Sequence, residues 1–362
     1  MGEKMPRRRS ASPTLADVAR ACGVGTMTVS RVVNGGDRVS AKTAARVRAV
    51  IKSLGYEPNE AARILKGHSA RTIGFILPDL ADPFFSICAH AVQQSAAKQG
   101  YMTLLLASER DSDREASALA MMNARSVAGI LIVPTSPSSV SELQRLQACG
   151  IPVVMLDRIF PGLQAGEVMV ENEKGAQMAV MHLLEHGHRS ILCVAYDSQF
   201  NSITQRMGGY EKTMTRAGLK PEFVLVDEVS TVSAKVLERL RAANPPTALF
   251  TLNNVATMQV LQALQQERID VPQDIAIIGF DDFELAPLLA VPITTVRQPA
   301  AQLGQRATHL LLDWIGRPRG SDARSLQAQV ILPTELIIRR SCGCQSVPRI
   351  EPEQISGIAA RE

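Results

Sequence analysis

The chain has 362 residues, a length suited to two or three domains and to a sizeable buried core. With 46% apolar and 20% charged residues its composition is globular and excludes a largely disordered chain. The net charge of +4 is uneven: residues 1–68 hold 13 lysines and arginines against 5 acidic residues, a balance of +8 that leaves −4 for the other 294 residues. A cationic head on a mildly acidic body points to a polyanion for the head and to a different partner for the body. The opening MGEKMPRRRSASP is basic but lacks a following apolar run, and no stretch approaches the roughly 18 apolar residues of a membrane span. Neither secretion nor a membrane partner is expected. The cysteines, Cys22, Cys88, Cys149, Cys193, Cys342 and Cys344, are mostly scattered through apolar segments, as reduced thiols are in a cytosolic protein.

Residues 1–12 are expected to be a basic, flexible tail. Leu15, Val18, Ala19 and Cys22 recur at i, i+3, i+4 and i+7 and predict a short helix with Thr14 as its N-cap. Gly23-Val24-Gly25 interrupts it, a second short helix is expected over Thr26 to Val33, and Asn34-Gly35-Gly36 ends that one. A third begins at Ser40, with Val47, Val50, Ile51 and Leu54 on one stripe, Lys42, Arg46, Arg48 and Lys52 elsewhere, and Gly55 as its stop. From Arg71 onward short apolar runs alternate with amphipathic stretches: Thr72–Leu77, Met102–Ala107, Gly129–Val133, Pro152–Leu156, Ile191–Ala195, Phe223–Val226, Ala248–Leu252 and Ile275–Phe280. Such alternation is that of parallel sheets covered on both faces. The runs fall into two sets of four, divided near Arg158 to Gly166 where Phe160-Pro161-Gly162 breaks the pattern, so two doubly wound lobes are expected. An (αβ)₈ barrel is the competing arrangement.

Helix, glycine-containing turn, helix is the geometry of a helix-turn-helix, whose second helix enters the major groove of DNA. That places Thr26, Met27, Ser30 and Arg31 at base edges: Arg31 can pair bidentately with guanine, Thr26 can donate or accept, and Met27 can pack on a thymine methyl. Thr14, Thr28, Asn34, Ser40 and Lys42 are assigned to the DNA-binding surface, the last four as phosphate contacts that position without specifying. A three-helix bundle that merely carries surface charge would leave the +8 balance unexplained.

The ordered pattern T-L-A-D-V-A, G-V, T-V-S-R-V-x-N, V-S-x-x-T, L-G-Y-x-P-N and A-R-x-L closely resembles the lactose repressor (LacI/GalR) family of bacterial transcription regulators, and the resemblance runs at lower density to about Arg340. It implies an α/β protein with an N-terminal three-helix helix-turn-helix domain (13–57), a hinge helix (58–68), and a two-lobed, doubly wound periplasmic-binding-protein-like domain for effector binding and dimerisation (69–340), with a flexible tail over 341–362. It further implies that the hinge orders on DNA and enters the minor groove at the operator centre, with Leu65 levering a base step, Ala62 beside it, and Arg63 and Lys66 near phosphates. An apolar wedge of this kind costs a few kcal/mol of unstacking. Gly25 departs from the family, which usually has a capping serine there.

Two doubly wound lobes bring the carboxyl ends of their strands to one cleft. Polar and aromatic residues follow the expected strands: Asp82, Phe84 and Phe85 the first, Asp157 and Arg158 the fourth, Asn253 the seventh and Asp281 the eighth, with Arg206 in the helix after the fifth and Gln298 after the Thr294–Val296 segment. Carboxylates, amides and guanidiniums can bond vicinal hydroxyls while phenyl rings stack on the apolar face of a sugar. The resemblance extends to periplasmic sugar-binding proteins, and these nine residues fall on positions used there for pentoses or hexoses, Asp82 replacing a more frequent Asn. Two arginines leave a sugar acid or sugar phosphate open.

The expected protein is therefore not an enzyme and needs no cofactor. It is a cytoplasmic, nucleoid-associated homodimer that binds a pseudo-palindromic double-stranded DNA operator under control of a sugar-like effector. A periplasmic-type sugar-binding protein and a sugar-modifying enzyme are the alternatives, and neither accounts for the basic head. His182 and His186 read as a helix end stopped by Gly187, Cys342-Gly343-Cys344 as a free thiol pair in a mobile tail, and no metal site is assigned. Pro348, Pro352 and the lack of a leucine heptad after Arg340 argue against a tetramerising coiled coil.

Overall fold

A computed structural model describes residues 13–33, 39–56, 71–196, 199–317 and 328–344. The chain divides into two compact units, Met1–Ala70 and Arg71–Glu362. In the first, helix α1 (Leu15–Cys22) starts with a capping box: the Asp17 N–H donates to Thr14 Oγ1 at 3.3 Å and the Thr14 N–H donates back to the Asp17 carboxylate at 2.9 Å. It stops at Gly23, whose left-handed φ of +61° a glycine adopts without strain. Helix α2 (Thr26–Val33) follows, then α3 (Ala41–Leu54), capped by Ser40 and stopped by Gly55. Val18, Ala19 and Cys22 of α1, Val29 and Val32 of α2, Val47 of α3 and Tyr56 share one core. The apolar stripes thus face inward and leave the basic residues on the outside.

The second unit holds two six-stranded sheets. Lobe I contains β1 (Thr72–Leu77), α4 (Pro83–Lys98), β2 (Met102–Ala107), α5 (Ser112–Ala124), β3 (Ile130–Ile132), α6 (Ser139–Ala148), β4 (Val153–Leu156) and β5 (Gly166–Val170). Lobe II contains α7 (Asn172–Glu185), β6 (Ile191–Tyr196), α8 (Asn201–Arg216), β7 (Glu222–Val226), α9 (Val232–Leu240), β8 (Ala248–Thr251), α10 (Asn254–Gln266), β9 (Ala276–Phe280) and β10 (Thr294–Arg297). The chain then returns to lobe I with α11 (Ala300–Ile315) and β11 (Gln329–Leu332), and ends on lobe II with β12 (Glu335–Ile337). Strand orders are β11-β5-β4-β3-β1-β2 and β12-β10-β9-β8-β6-β7, parallel throughout except for β12 against β10. Two separate sheets exclude the barrel. In each lobe the order reverses beside the first strand, and ligands of such sheets bind at the carboxyl ends near that reversal.

The expectation of four strands per lobe was too small. Gly166–Val170, which begins where the expected dividing segment ends, is a fifth strand parallel to β4, and β11 and β12 complete the two edges. These late strands are short and half-exposed, so they lack the continuous apolar run of the central ones. The reading of residues 341 onward as a mobile tail with a free thiol pair also needs correction. Ser341 and Cys342 are buried, and Ser341 Oγ donates to the Ile277 carbonyl at 2.7 Å while accepting from the Thr294 N–H at 2.8 Å, which packs this segment onto lobe II. Among the described residues no helix is long and apolar enough to cross a membrane.

Candidate functional site

In the N-terminal unit, α2 buries Val29 and Val32 against the core, so the opposite face is set by its 3.6-residue period. Thr26, Met27 and Arg31 lie on that exposed face and Thr28 and Ser30 at its margin. Met27 is 66% exposed, a large apolar side chain at the first turn of a helix with no core to serve. Lys42 is exposed at the start of α3, whereas the Thr14 and Ser40 hydroxyls already cap α1 and α3. Asn34, Ala62, Arg63, Leu65 and Lys66 lie outside the described residues.

In the second unit, Asp82, Phe84, Phe85, Asp157, Arg158, Arg206, Asn253, Asp281 and Gln298 all line one narrow cavity between the lobes. The two lobes build it in parallel ways. Asp157 follows β4 and Asp281 follows β9, each its sheet's fourth strand in chain order, and both hold a left-handed backbone, with φ of +63° and +75°. Each backbone N–H still donates to the neighbouring strand, Asp157 to Val168 and Asp281 to Val296, both at 2.9 Å. Left-handed conformation at a non-glycine residue stores strain that tends to collect at functional sites, and Asp tolerates it better than most.

Arg206 is buried in the centre: Nε donates to Asn172 Oδ1 at 2.8 Å, Nη1 to the Leu252 carbonyl at 2.7 Å, and Nη1 also lies 3.5 Å from Asp281 Oδ2. Its guanidinium stacks 3.8 Å from the Phe280 ring centroid. The Arg158 guanidinium lies 3.5 Å from the Phe200 ring and 5.9 Å from the Phe85 ring. Burial pushes the Asp157 and Asp281 carboxyls above the ordinary carboxylate range, against the pull of Arg206 on both. Asp82 is raised by burial as well, although the Asn254 side chain donates to it. Two acceptors in this lining, Asp157 Oδ1 and Gln298 Oε1, are buried and receive no hydrogen bond. Each costs about 1–3 kcal/mol until a donor arrives. Hydrogen bonds that cross between the lobes include Asn254 Nδ2 to Asp82 Oδ1 at 2.8 Å, the Ile159 N–H to Asn201 Oδ1 at 2.9 Å, and Asn201 Nδ2 to Met169 Sδ at 3.9 Å.

Asn253 lines the cavity, but its amide serves the fold. Oδ1 accepts from the Ala256 N–H at 2.8 Å as the cap of α10, and Nδ2 donates to the Tyr196 carbonyl at 3.2 Å. The residue that reaches across is its neighbour Asn254, which follows the same strand but was not placed in the ligand-binding set; either of two adjacent asparagines can cap a helix. Arg110, Ser202, Ile203 and Val255 also line the cavity and were not anticipated. Arg110 sits in the polar turn just after β2, with its guanidinium 5.3 Å from the Tyr196 ring, and applying the strand-end rule to that strand too would have found it.

Residues 14–59 match the family model described as bacterial regulatory proteins, lacI family, and residues 180–342 match a periplasmic binding protein-like domain. The chain is 31% identical over 337 residues to the HTH-type transcriptional regulator DegA of Bacillus subtilis, spanning 91% of this chain and 97% of that protein. Its fold is similar to the lac repressor dimer bound to operator and the anti-inducer ONPF, with a TM-score of 0.80, 27% identity, and 92% and 99% of the two chains covered. It is also similar to a transcriptional regulator CelR–cellobiose complex, with a TM-score of 0.66, 27% identity, and 91% and 99% covered. A basic helix-turn-helix unit, a two-lobed body with a polar cleft, and a relative matched nearly end to end lead to one conclusion: this chain belongs to the LacI family of bacterial regulatory proteins, DNA-binding regulators of transcription.

Proposed function

We propose that this protein is a repressor whose hold on a pseudo-palindromic operator is set by a neutral, sugar-like ligand bound between its two lobes, and that it works as a homodimer in the bacterial cytoplasm, nucleoid-associated through its operator. The observation that carries the ligand class is the pair of buried acceptors, Asp157 Oδ1 and Gln298 Oε1, left without donors beside the Phe84 and Phe85 rings. Hydroxyl groups supply the missing donors, and the rings suit the apolar face of a sugar. A sugar acid or phosphate fits less well. Arg206 Nε and Nη1 already donate to Asn172, Leu252 and Asp281, its Nη2 faces Asp157 Oδ1 at 4.0 Å, and the three cavity carboxylates, Asp82, Asp157 and Asp281, stand against Arg110, Arg158 and Arg206.

In this reading residues 13–57 bind the operator, with Thr26, Met27, Ser30 and Arg31 at base edges and Thr14, Thr28, Asn34, Ser40 and Lys42 along the backbone. The hinge over 58–68, with Ala62, Arg63, Leu65 and Lys66, occupies the minor groove at the centre. Residues 69–340 carry the effector cleft. A ligand that prefers one lobe arrangement by about 1–3 kcal/mol shifts operator affinity roughly 5- to 150-fold. The test is selection of duplexes from a random DNA pool at about 0.15 M salt, where nonspecific phosphate binding is weakened. The recovered operator is then used to screen neutral sugars, sugar acids and sugar phosphates by calorimetry and release. A palindrome and a neutral sugar that binds best are expected. Tighter binding of an acid or phosphate overturns the ligand class, and absence of any enriched sequence with or without pooled metabolites overturns the operator reading.

A further inference from the structure

The far end of α7 carries a second polar cluster, on lobe II, none of whose residues lines the effector cavity. His182 and His186 are one helical turn apart on one face, their ring centroids 4.4 Å from each other. The segment after β12 comes back beside them, held by the buried Ser341, and Gly343, at φ +93°, bends it so that both flanking sulfurs reach the imidazoles. His182 Nε2 lies 3.3 Å from Cys342 Sγ and 3.4 Å from Cys344 Sγ, and His186 Nε2 lies 3.0 Å from Cys344 Sγ. The ligand atoms of His182, Cys342 and Cys344 all fall within 4.8 Å of one another.

Tetrahedral zinc, at about 2.3 Å from sulfur and 2.0–2.1 Å from nitrogen, separates those atoms by roughly 3.5 Å. The nitrogen–sulfur spacings are shorter by a few tenths of an ångström, and of the two outer ligands His186 is exposed and Cys344 half-buried, so both can adjust. The surrounding bonds orient the set as metal ligands need. His186 Nδ1 donates to the His182 carbonyl at 2.8 Å, which leaves the Nε2 lone pair facing Cys344. Thr294 Oγ1 accepts from the Arg339 N–H at 2.9 Å, so its own hydrogen is directed to Cys342 Sγ at 3.2 Å. Two thiolates and a divalent cation cancel, which is the condition for burying such charges.

We propose that His182, His186, Cys342 and Cys344 bind a thiophilic divalent cation, zinc(II) foremost, which clips the segment after β12 to the end of α7. Neither motif signals this alone: H-x₃-H and C-x-C are each half a site, brought together across 160 residues.

The experiment uses untagged, full-length protein, stripped with a chelator and kept reduced with a phosphine, in a Cys149→Ser background that removes the exposed thiol. Cobalt(II) and zinc(II) are titrated separately, zinc in competition with a chromophoric chelator. One equivalent of cobalt is expected to give tetrahedral d–d bands and a thiolate charge-transfer band, zinc to displace it, and zinc to raise the melting temperature by several degrees. Cys344→Ser and His186→Gln, both at the partly exposed rim, should fold as the parent by far-ultraviolet circular dichroism yet lose at least tenfold in zinc affinity. The charge-transfer band should weaken only in Cys344→Ser. Binding of less than a tenth of an equivalent, an octahedral cobalt spectrum, affinity unmoved by both variants, or a Cys342–Cys344 disulfide in place of any metal binding would each overturn the site.

Discussion

At the scale of single residues, the side chains on the exposed face of α2 divide into two kinds of DNA contact, and the division is testable. Arg31→Ala should cost about 1–3 kcal/mol at the preferred operator and relax the choice of base at one position per half-site. Lys42→Ala should weaken binding to all sequences alike and lower the slope of log affinity against log salt by about one phosphate contact. Binding to operator variants over a salt series separates the two, and equal loss of base preference in both would contradict the assignment.

Asp82 offers a second test at this scale. Its carboxyl is raised above 3.8 by burial, so its contribution to stability is complete below 3.8 and is lost as pH rises through the raised folded value. Asp82→Asn keeps the cap that accepts from the Phe84 N–H, because asparagine caps as well as aspartate. The ligand-free variant should therefore gain stability over the parent near pH 7.5, and the gain should shrink toward about pH 4. Urea unfolding at both values checks this. An equal difference at both would mean that the carboxylate is not penalised in the cleft.

At the scale of elements, the two lobes solve one packing problem twice. Helices α7 and α8 approach so closely that a Cβ on Gly209 would lie 2.3 Å from the Glu173 carbonyl oxygen, and α4 and α11 so closely that a Cβ on Gly304 would lie 2.5 Å from the Cys88 carbonyl oxygen. Backbone cannot yield as a side-chain tip can. Gly209→Ala and Gly304→Ala should each destabilise by about 1–3 kcal/mol, despite alanine's better helix propensity. Thermal or urea unfolding of the two variants is the measurement, and a stabilised variant would show that the helix pair tolerates separation.

At the scale of the molecule, the lobes meet through few polar contacts, and the bond from Asn254 to Asp82 joins them directly beside the cavity. Asn254→Ala should leave each lobe's core intact and loosen only the closed arrangement. Ligand affinity should fall roughly 5- to 30-fold, about 1–2 kcal/mol, with little change in the melting temperature of the free protein. Calorimetry with the best ligand from the screen, set beside the free protein's melting curve, decides it. A fall in stability that matches the fall in affinity would make Asn254 a packing residue instead.

What the sequence determined by itself is local. The helices α1 and α3 could be delimited from Thr14, Gly23, Ser40 and Gly55 because caps and stops act within one turn. The central strands were legible because burial on both faces demands unbroken apolar runs. Eight of the nine cavity residues followed from one rule about strand ends, and Arg206 from its place early in the helix after the fifth expected strand. Other features were decided only in three dimensions. β11 pairs with β5 across 162 residues, Gln329 opposite Glu167, and edge strands of this length carry no periodicity to read. Whether Asn253 or Asn254 faces the cleft depends on which one the helix takes as its cap. That His182 meets Cys342 depends on Ser341 docking against β9 and β10, a contact between segments that neither sequence pattern contains. Local backbone chemistry writes itself into short stretches of sequence, whereas long-range pairing and the geometry of a cleft arise only when distant stretches share a core.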